Sequence, residues 1–204
     1  MRIWSFPSFY PNHLPNRRWN GIFAHRQNLG LVRNGAAVTV VHPVVYRWPS
    51  LLQSFFPCSS DLNSANLPSS RVMDGIKVFH PVIADPRPSR FFHTDYGKLY
   101  KSAVRKFFIE QKVKFTNEDF FYAQWVPEAG MVVELGKEFG VKTGVLVIGD
   151  DVLVLPQHSE LAKTFFCKTM LAADYLFSVS HHLAAAANDL VGTNLPFTVV
   201  RRGV

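Results

Sequence analysis

The chain of 204 residues carries only two cysteines, Cys58 and Cys167, far apart and outside any C-x-x-C or Cys/His ligand spacing. That scarcity argues against a disulfide framework and a zinc site and fits a reducing, cytoplasmic setting. Long apolar runs are missing too. The most hydrophobic stretch, Gly144 to Leu155, is interrupted by Asp150 and Asp151 and falls short of the roughly 20 residues that span a bilayer. No signal peptide is expected, because Ser5, Pro7 and Pro11 break the Met1 to Asn12 segment where an apolar h-region would run. G-x-G-x-x-G is absent, which disfavours a dinucleotide fold of the dehydrogenase type. Acidic residues are the minority, 15 Asp and Glu against 22 Lys and Arg, which leaves a formal charge of +7. Such a surface attracts anions, whether phosphorylated ligands or the headgroups at the inner face of a membrane. No nucleic-acid partner is expected, since neither a reading motif nor a concentrated basic stripe accompanies the charge.

What is present is a rhythm. With 48% hydrophobic residues the chain can bury a sizeable core. Brief β-type runs at Ile3 to Phe6, Ala37 to Val41, Ile76 to Phe79, Phe120 to Gln124, Thr143 to Ile148, Tyr175 to Val179 and Phe197 to Val200 alternate with helical stretches. Helices are expected at Ile22 to Asn34, from Tyr96 through Phe108, at Gly130 to Phe139, at Ser159 to Ala173, and from an N-cap at Ser180 through Val191. The Pro43 to Asp74 stretch, rich in Pro, Ser and Asn, reads as a long loop. This alternation predicts an α/β fold: a doubly wound, mostly parallel Rossmann-like sheet with helices on both faces, spanning residues 1–204 as one domain. Because the last strand lies four residues from Val204, a following segment is expected to complete the sheet's surroundings.

Ligands of doubly wound sheets bind beyond the carboxyl ends of the strands, so three segments are candidates for the site. After the first strand, Asn20 and Gly21 lead into a helix whose amides and dipole suit a phosphate or a sugar hydroxyl. After the fourth, Gln124, Trp125 and Glu128 offer an amide, an indole face and a carboxylate ahead of the helix that Gly130 begins, and Gly130 is counted with them as a binding candidate. After the fifth come Gly149, Asp150 and Asp151, whose carboxylates need partners, solvent or a ligand. Two adjacent Asp without a further acidic cluster specify no metal site. For the first two segments a purely structural reading stands beside the functional one: a glycine turn at Gly21, and a packed Trp125 indole with Glu128 as a helix-start carboxylate. Lys98, Lys101, Arg105 and Lys106 lie off the apolar stripe of the Tyr96 helix, which fits a core helix with a solvated face better than a membrane-surface helix. His13, His25, His80, His93 and His158 lie in separate segments without ligand spacing and read as structural or surface residues.

These residues also resemble a known family. Phe9-Tyr10-Pro11, Asn20-Gly21-Ile22-Phe23 and the run Gly35 to Val41 look like the opening of the N-terminal domain of GT-B glycosyltransferases of the retaining subfamily 4. Gln124 to Gly130 and Ile148 to Val152 resemble that family's acceptor-side loops. Ala173-Asp174-Tyr175 with Ser178-Val179-Ser180, and Val199 to Val204, resemble its last strand and interdomain linker. Ile148 stands where many members carry His or Arg, and Arg202 stands where the linker has Asn, so no residue is assigned to the chemical step. The resemblance implies a hexosyl-type transferase needing no cofactor, with a nucleotide-sugar as donor substrate and a glycan or lipid-linked acceptor. This chain would supply the acceptor side, including Arg202, while an absent C-terminal domain holds the donor through an E-x7-E pair. Glu110 and Glu118 share that spacing but lack the accompanying glycines. On this reading the isolated chain is inactive. The competing class is a non-catalytic module that captures a glycan or phosphorylated ligand in the same crevice.

Overall fold

The structure, a computed structural model, describes residues 1–11, 21–46, 67–84 and 96–200. At its centre β1 (Arg2–Pro7) runs parallel to β2 (Ala37–Val41) on one side and β7 (Asp119–Gln124) on the other. Beyond β2 lie β5 (Ile76–Phe79) and the edge strand β4 (Ser70–Met73). Beyond β7 lie β8 (Lys142–Val147), β9 (Tyr175–Ser178) and β10 (Phe197–Val199). The order is β10-β9-β8-β7-β1-β2-β5-β4, and only β4 is antiparallel to its neighbour. The fold is thus α/β with a mostly parallel sheet, as the alternation predicts.

Side-chain alternation along each strand divides the core between two faces. Ile3, Val38, Val40, Val78, Tyr122 and Leu146 pack on one face with Ala24 of α1 (Ile22–Arg33). Trp4, Phe6, Phe121, Ala123, Val145 and Val147 pack on the other. That face is covered by α2 (Tyr96–Glu110), α3 (Val126–Phe139), α5 (Glu160–Ala172) and α6 (His181–Val191). α2 buries Tyr100, Val104, Phe107 and Phe108, and three of its cations pair with carboxylates: Lys101 with Glu134 at 2.9 Å, Arg105 with Glu138 at 2.5 Å, Lys106 with Glu110 at 3.6 Å. The core-helix reading of this segment holds. Among the described residues no helix is long and apolar enough to cross a membrane.

The structure departs from the sequence reading in three places. Pro43 to Asp74 is not one loop: it contains β3 (Val44–Tyr46), paired with β6 (Val82–Ala84), and β4, while residues 47–66 lie outside the described residues. Three-residue strands are too short to show a period, and β4 is an edge strand of half-exposed residues. The β4–β5 turn had a local signal, Asp74-Gly75, whose positive φ values of 47° and 80° make the tight hairpin connection. The third helix starts at Val126 rather than Gly130, because Pro127 and Glu128 are first-turn residues and Gly130 sits inside the helix. A short helix α4 (Asp150–Leu153) and a 3-10 turn at Leu155–Gln157 also lie between β8 and α5, where the sequence pattern indicates no element.

Two carboxylates tie strand starts together at the end of the sheet opposite the crevice. Asp119 accepts from Trp4 Nε1 at 2.8 Å, the Thr116 amide at 2.7 Å and the Arg2 guanidinium. Burial alone would raise its pKa, but these donors hold it down at about 2. Asp174 accepts from the Thr143 amide at 2.8 Å and from Lys142 at 2.6 Å. The Ala173-Asp174-Tyr175 motif therefore joins β8 to β9 and takes no part in the crevice.

Candidate functional site

The chain order reverses direction at β1: β2 is added on one side of it and β7 on the other. That switch point opens a crevice at the carboxyl ends of β1 and β7, where Pro7 lies opposite Gln124. Ser8 and Phe9 follow from one strand and Trp125 from the other. Gly21 opens α1 directly above them, and a Cβ there would lie 2.2 Å from the Phe9 carbonyl oxygen. With φ at 73°, Gly21 is required twice over, for its backbone and for this close approach.

A small cavity of about 170 Å³ results, lined by Ser8, Phe9, Gly21, Phe23, Gln124 and Trp125 among others. Three of the sequence candidates, Gly21, Gln124 and Trp125, meet here. Gln124 is 3% exposed, and its Nε2 has no hydrogen-bond partner among the described residues. Trp125 has φ 84° and ψ 134°, a backbone state that costs a non-glycine residue about 1–3 kcal/mol. Its amide donates to the Leu146 carbonyl at 3.0 Å, and its ring lies 5.6 Å from that of Phe9, tilted by 40°. The strain is what turns the chain from strand to helix within one residue and brings the indole beside Phe9.

Glu128 lies in the first turn of α3, 8% exposed, with Oε2 2.5 Å from Ser8 Oγ. Ser8 Oγ is also 3.2 Å from the Gln124 carbonyl. Burial raises the Glu128 pKa to about 7, although the Ser8 hydroxyl and its own amide oppose the shift. A single serine proton cannot satisfy both acceptors when Glu128 is ionised. When Glu128 is protonated it donates to Ser8, and Ser8 donates to the Gln124 carbonyl, so the neutral form completes the chain.

The third segment behaves differently. Asp151 is 1% exposed, and Oδ1 accepts from the amides of Gly149 at 2.8 Å and Ile148 at 3.0 Å. Burial raises its pKa, and the amides of Gly149, Ile148, Asp151 and Val126 oppose the rise. Its carboxylate holds the β8–α4 turn rather than projecting into the crevice. Gly149 and Asp150 are the more open members of this turn, and Gly149, at φ 154° and ψ −91°, occupies backbone space that suits glycine. Gly130 lies inside α3 where α5 crosses it: a Cβ there would lie 2.2 Å from Phe165 Cζ, so the bare backbone lets the two helices approach. Asn20 and Arg202 lie outside the described residues.

The sequence reading missed the brace that holds the Phe9 loop. Tyr10 Oη lies 2.6 Å from His25 Nδ1, and His25 Nε2 lies 2.8 Å from Asp74 Oδ2. Arg71 donates to the Pro11 carbonyl. Burial raises Tyr10 to about 12, so its phenol stays neutral. His42 packs beside Tyr10 and His80, and burial followed by the neighbouring His80 lowers its pKa to about 3. Residues 10, 25 and 74 are separated too widely for any local pattern to join them. Among the described residues no group of three His, Cys, Asp or Glu side chains is placed to hold a metal ion.

No protein-family model matches the sequence, and no curated protein matches it. Solved structures do match in fold. Two chains of sucrose-phosphate synthase from Thermosynechococcus elongatus superpose with TM-scores of 0.63 and 0.64 at 11% and 10% identity. All of this chain matches 90% of the first, and 98% of it matches 48% of the second. A trehalose-6-phosphate protein from E. coli, bound with UDP-2-fluoro glucose, gives a TM-score of 0.51 at 10% identity, with 94% of this chain over 43% of that one. UDP-N-acetylglucosamine 2-epimerase from Rickettsia bellii gives 0.52 at 12% identity, with 97% of this chain over 44% of that one. The chain thus spans about half the length of these longer structures, and what it shares with them is the fold of one α/β half.

Proposed function

We propose that this chain is the acceptor-side half of a glycosyltransferase of the GT-B type. A glycan or lipid-linked acceptor places its hydroxyl in the crevice beside Gly21, Gln124 and Trp125, and a nucleotide-sugar donor is held by a second domain. The observation that carries this reading is the Gln124 amide, buried and without a partner at the wall of a cavity flanked by Phe9, Phe23 and Trp125. Leaving such a group unpaired costs about 1–3 kcal/mol, which a ligand hydroxyl or phosphoryl oxygen would offset. The C–H face of a sugar ring is apolar and packs on aromatic faces such as Trp125 and Phe9. The start of α1 adds a favourable dipole for an oxygen carrying negative charge.

The fold supports the same reading, since the matched structures named above are of a sucrose-phosphate synthase, a trehalose-6-phosphate protein bound with UDP-2-fluoro glucose, and a UDP-N-acetylglucosamine 2-epimerase. Retention of anomeric configuration, and membership of subfamily 4, rest on the sequence resemblance. In this account the half supplies positioning: it orients the acceptor oxygen toward an oxocarbenium-like transition state whose charge the donor domain meets. Gly149 and Asp150 follow Ile148, which lines the cavity, Asp151 fixes their turn, Glu128 acts through Ser8, and Asn20 and Arg202 are assigned to the acceptor side on the sequence alone.

The test is a paired measurement on the 204-residue chain. Saccharide binding followed by the Gln124 side-chain amide resonance is expected to saturate, while UDP-glucose incubated with the chain alone releases no UDP above the blank. Turnover by the lone chain, or saccharides that leave the Gln124 resonance unmoved, would contradict the proposal.

A further inference from the structure

We infer that the ligand group seated beside Gln124 is a hydroxyl rather than a phosphoryl oxygen, and that Ser8 Oγ accepts its hydrogen bond while the Glu128 carboxylate holds the serine proton. This rests on the acceptor reading above and specifies which group of the ligand enters and which residue meets it. Few polar groups line the pocket. Phe9, Phe23, Ala24 and Ile148 are apolar, and the polar side chains are those of Ser8, Gln124 and the Trp125 indole. The amide nitrogen of Gln124 and the indole nitrogen only donate. Ser8 is the member whose sense can change, because a hydroxyl both donates and accepts.

Glu128 sets that sense. Ser8 Oγ lies 2.5 Å from Glu128 Oε2 and 3.2 Å from the Gln124 carbonyl oxygen. With Glu128 protonated, the acid proton fills a lone pair of Ser8 Oγ and the serine proton goes to the Gln124 carbonyl. With Glu128 ionised, the serine proton turns to the carboxylate and leaves a lone pair of Oγ for an incoming O–H. A hydroxyl then satisfies both residues, accepting from the unpartnered Gln124 amide and donating to Ser8. A phosphate dianion has no proton to give, so Ser8 Oγ would face a second acceptor. The groups around Glu128 leave its charge free to change near neutrality. Burial raises its pKa to about 7, opposed by the Ser8 hydroxyl and its own amide. Tyr96 and Tyr100 face it from α2, and burial pushes both phenols up, so they stay neutral. Lys101 of α2 is paired with Glu134 instead. From α5, Phe165 and Thr169 meet α3 at Gly130 and carry no charge. Asp151, near the start of α3, is engaged by the Ile148 and Gly149 amides. His42, beside the Ser8 backbone, is held neutral by burial and by His80, its pKa lowered to about 3.

The experiment is an NMR titration of the 204-residue chain with methyl glucoside at pH 5 and pH 8, either side of the Glu128 midpoint of about 7. The Gln124 side-chain amide reports binding, and the Glu128 carboxyl carbon reports its protonation. Affinity is expected to be about fivefold higher at pH 8, the effect of one added hydrogen bond. A ligand that prefers ionised Glu128 also lowers its midpoint, which is expected to fall by about 0.7 of a pH unit on saturation. Glu128→Gln, which keeps the protonated arrangement, is expected to bind at both pH values as the wild type binds at pH 5. Ser8→Ala is expected to abolish the pH dependence of binding while Glu128 still titrates, a separation that a merely structural Glu128 would not produce. Inorganic phosphate is expected to leave the Gln124 amide unmoved at pH 8. Equal affinity at the two pH values, a Glu128 midpoint unmoved by saturation, pH dependence that survives in both variants, or saturation of the Gln124 amide by phosphate would overturn the inference. Failure of the two readings is distinguishable. Methyl glucoside that moves the Gln124 amide at neither pH rejects the acceptor reading and this inference with it, whereas saturable binding indifferent to pH rejects this inference alone.

Discussion

Replacing Glu128 with Gln should change stability in a way that depends on pH. Burial raises the Glu128 pKa from 4.5 to about 7 in the folded chain, so the native state holds a proton that the unfolded state has released between those values. An acid shifted upward therefore lowers stability as pH rises, by about 1.4 kcal/mol per pH unit through that window and not further above it. Over the whole shift the cost comes to about 3 kcal/mol. Gln reproduces the protonated acid: its amide donates to Ser8 Oγ, and Ser8 then donates to the Gln124 carbonyl. Urea unfolding at pH 5 and pH 8 would be compared for both proteins. The variant is expected to match the wild type at pH 5 and to exceed it by about 2–3 kcal/mol at pH 8. Contributions from Asp151 and His42 are common to both chains and cancel in the difference. A gap that stays constant between the two pH values would refute the claim that Glu128 is buried and neutral beneath the crevice.

Two further changes probe the frame and the strain. Asp119→Asn should cost about 2 kcal/mol at pH 7, because the folded pKa lies at about 2 against an ordinary 3.8. That contribution is present above pH 3.8 and fades as pH falls toward 2, so acid titration of the two proteins should converge. Trp125→Gly removes the penalty of a side chain at φ 84°, so its thermal midpoint should stay level or rise while saccharide affinity falls at least tenfold. A parallel loss of stability and binding would place the indole in the core instead of in the site.

The sheet was legible because each central strand is a compact apolar run bounded by polar or small residues. Ala37–Val41 and Ile76–Phe79 have the bounds their sequences imply. The edge was not, since β4 is a short strand of half-exposed residues, and β3 and β6 are three-residue strands that pair only with each other across a long stretch of chain. In the Gln124 segment the place of each residue at the end of a strand was legible, but the packing of Gly130 was not. Its position after a strand was readable, and so was the helix-start character of Glu128. That Gly130 serves a helix crossing depends on Phe165, which lies 35 residues away in sequence. Asp151 was identified for its position, yet its carboxylate closes on amides two and three residues earlier, a local turn bond that the adjacent Gly149 makes feasible. The Tyr10–His25–Asp74 brace had no signal in the sequence, because it joins a loop, a helix and a hairpin turn only after all three have formed.

The central claim is that the crevice between β1 and β7 receives an acceptor sugar through Gln124. A heteronuclear NMR titration of the chain with a soluble glycan tests it most directly, by following the Gln124 side-chain amide and the Trp125 indole together. The account predicts that these two signals shift first and saturate with one dissociation constant. Shifts confined to the groove lined by Phe120, Tyr175 and Phe177, toward the other end of the strands, would contradict it.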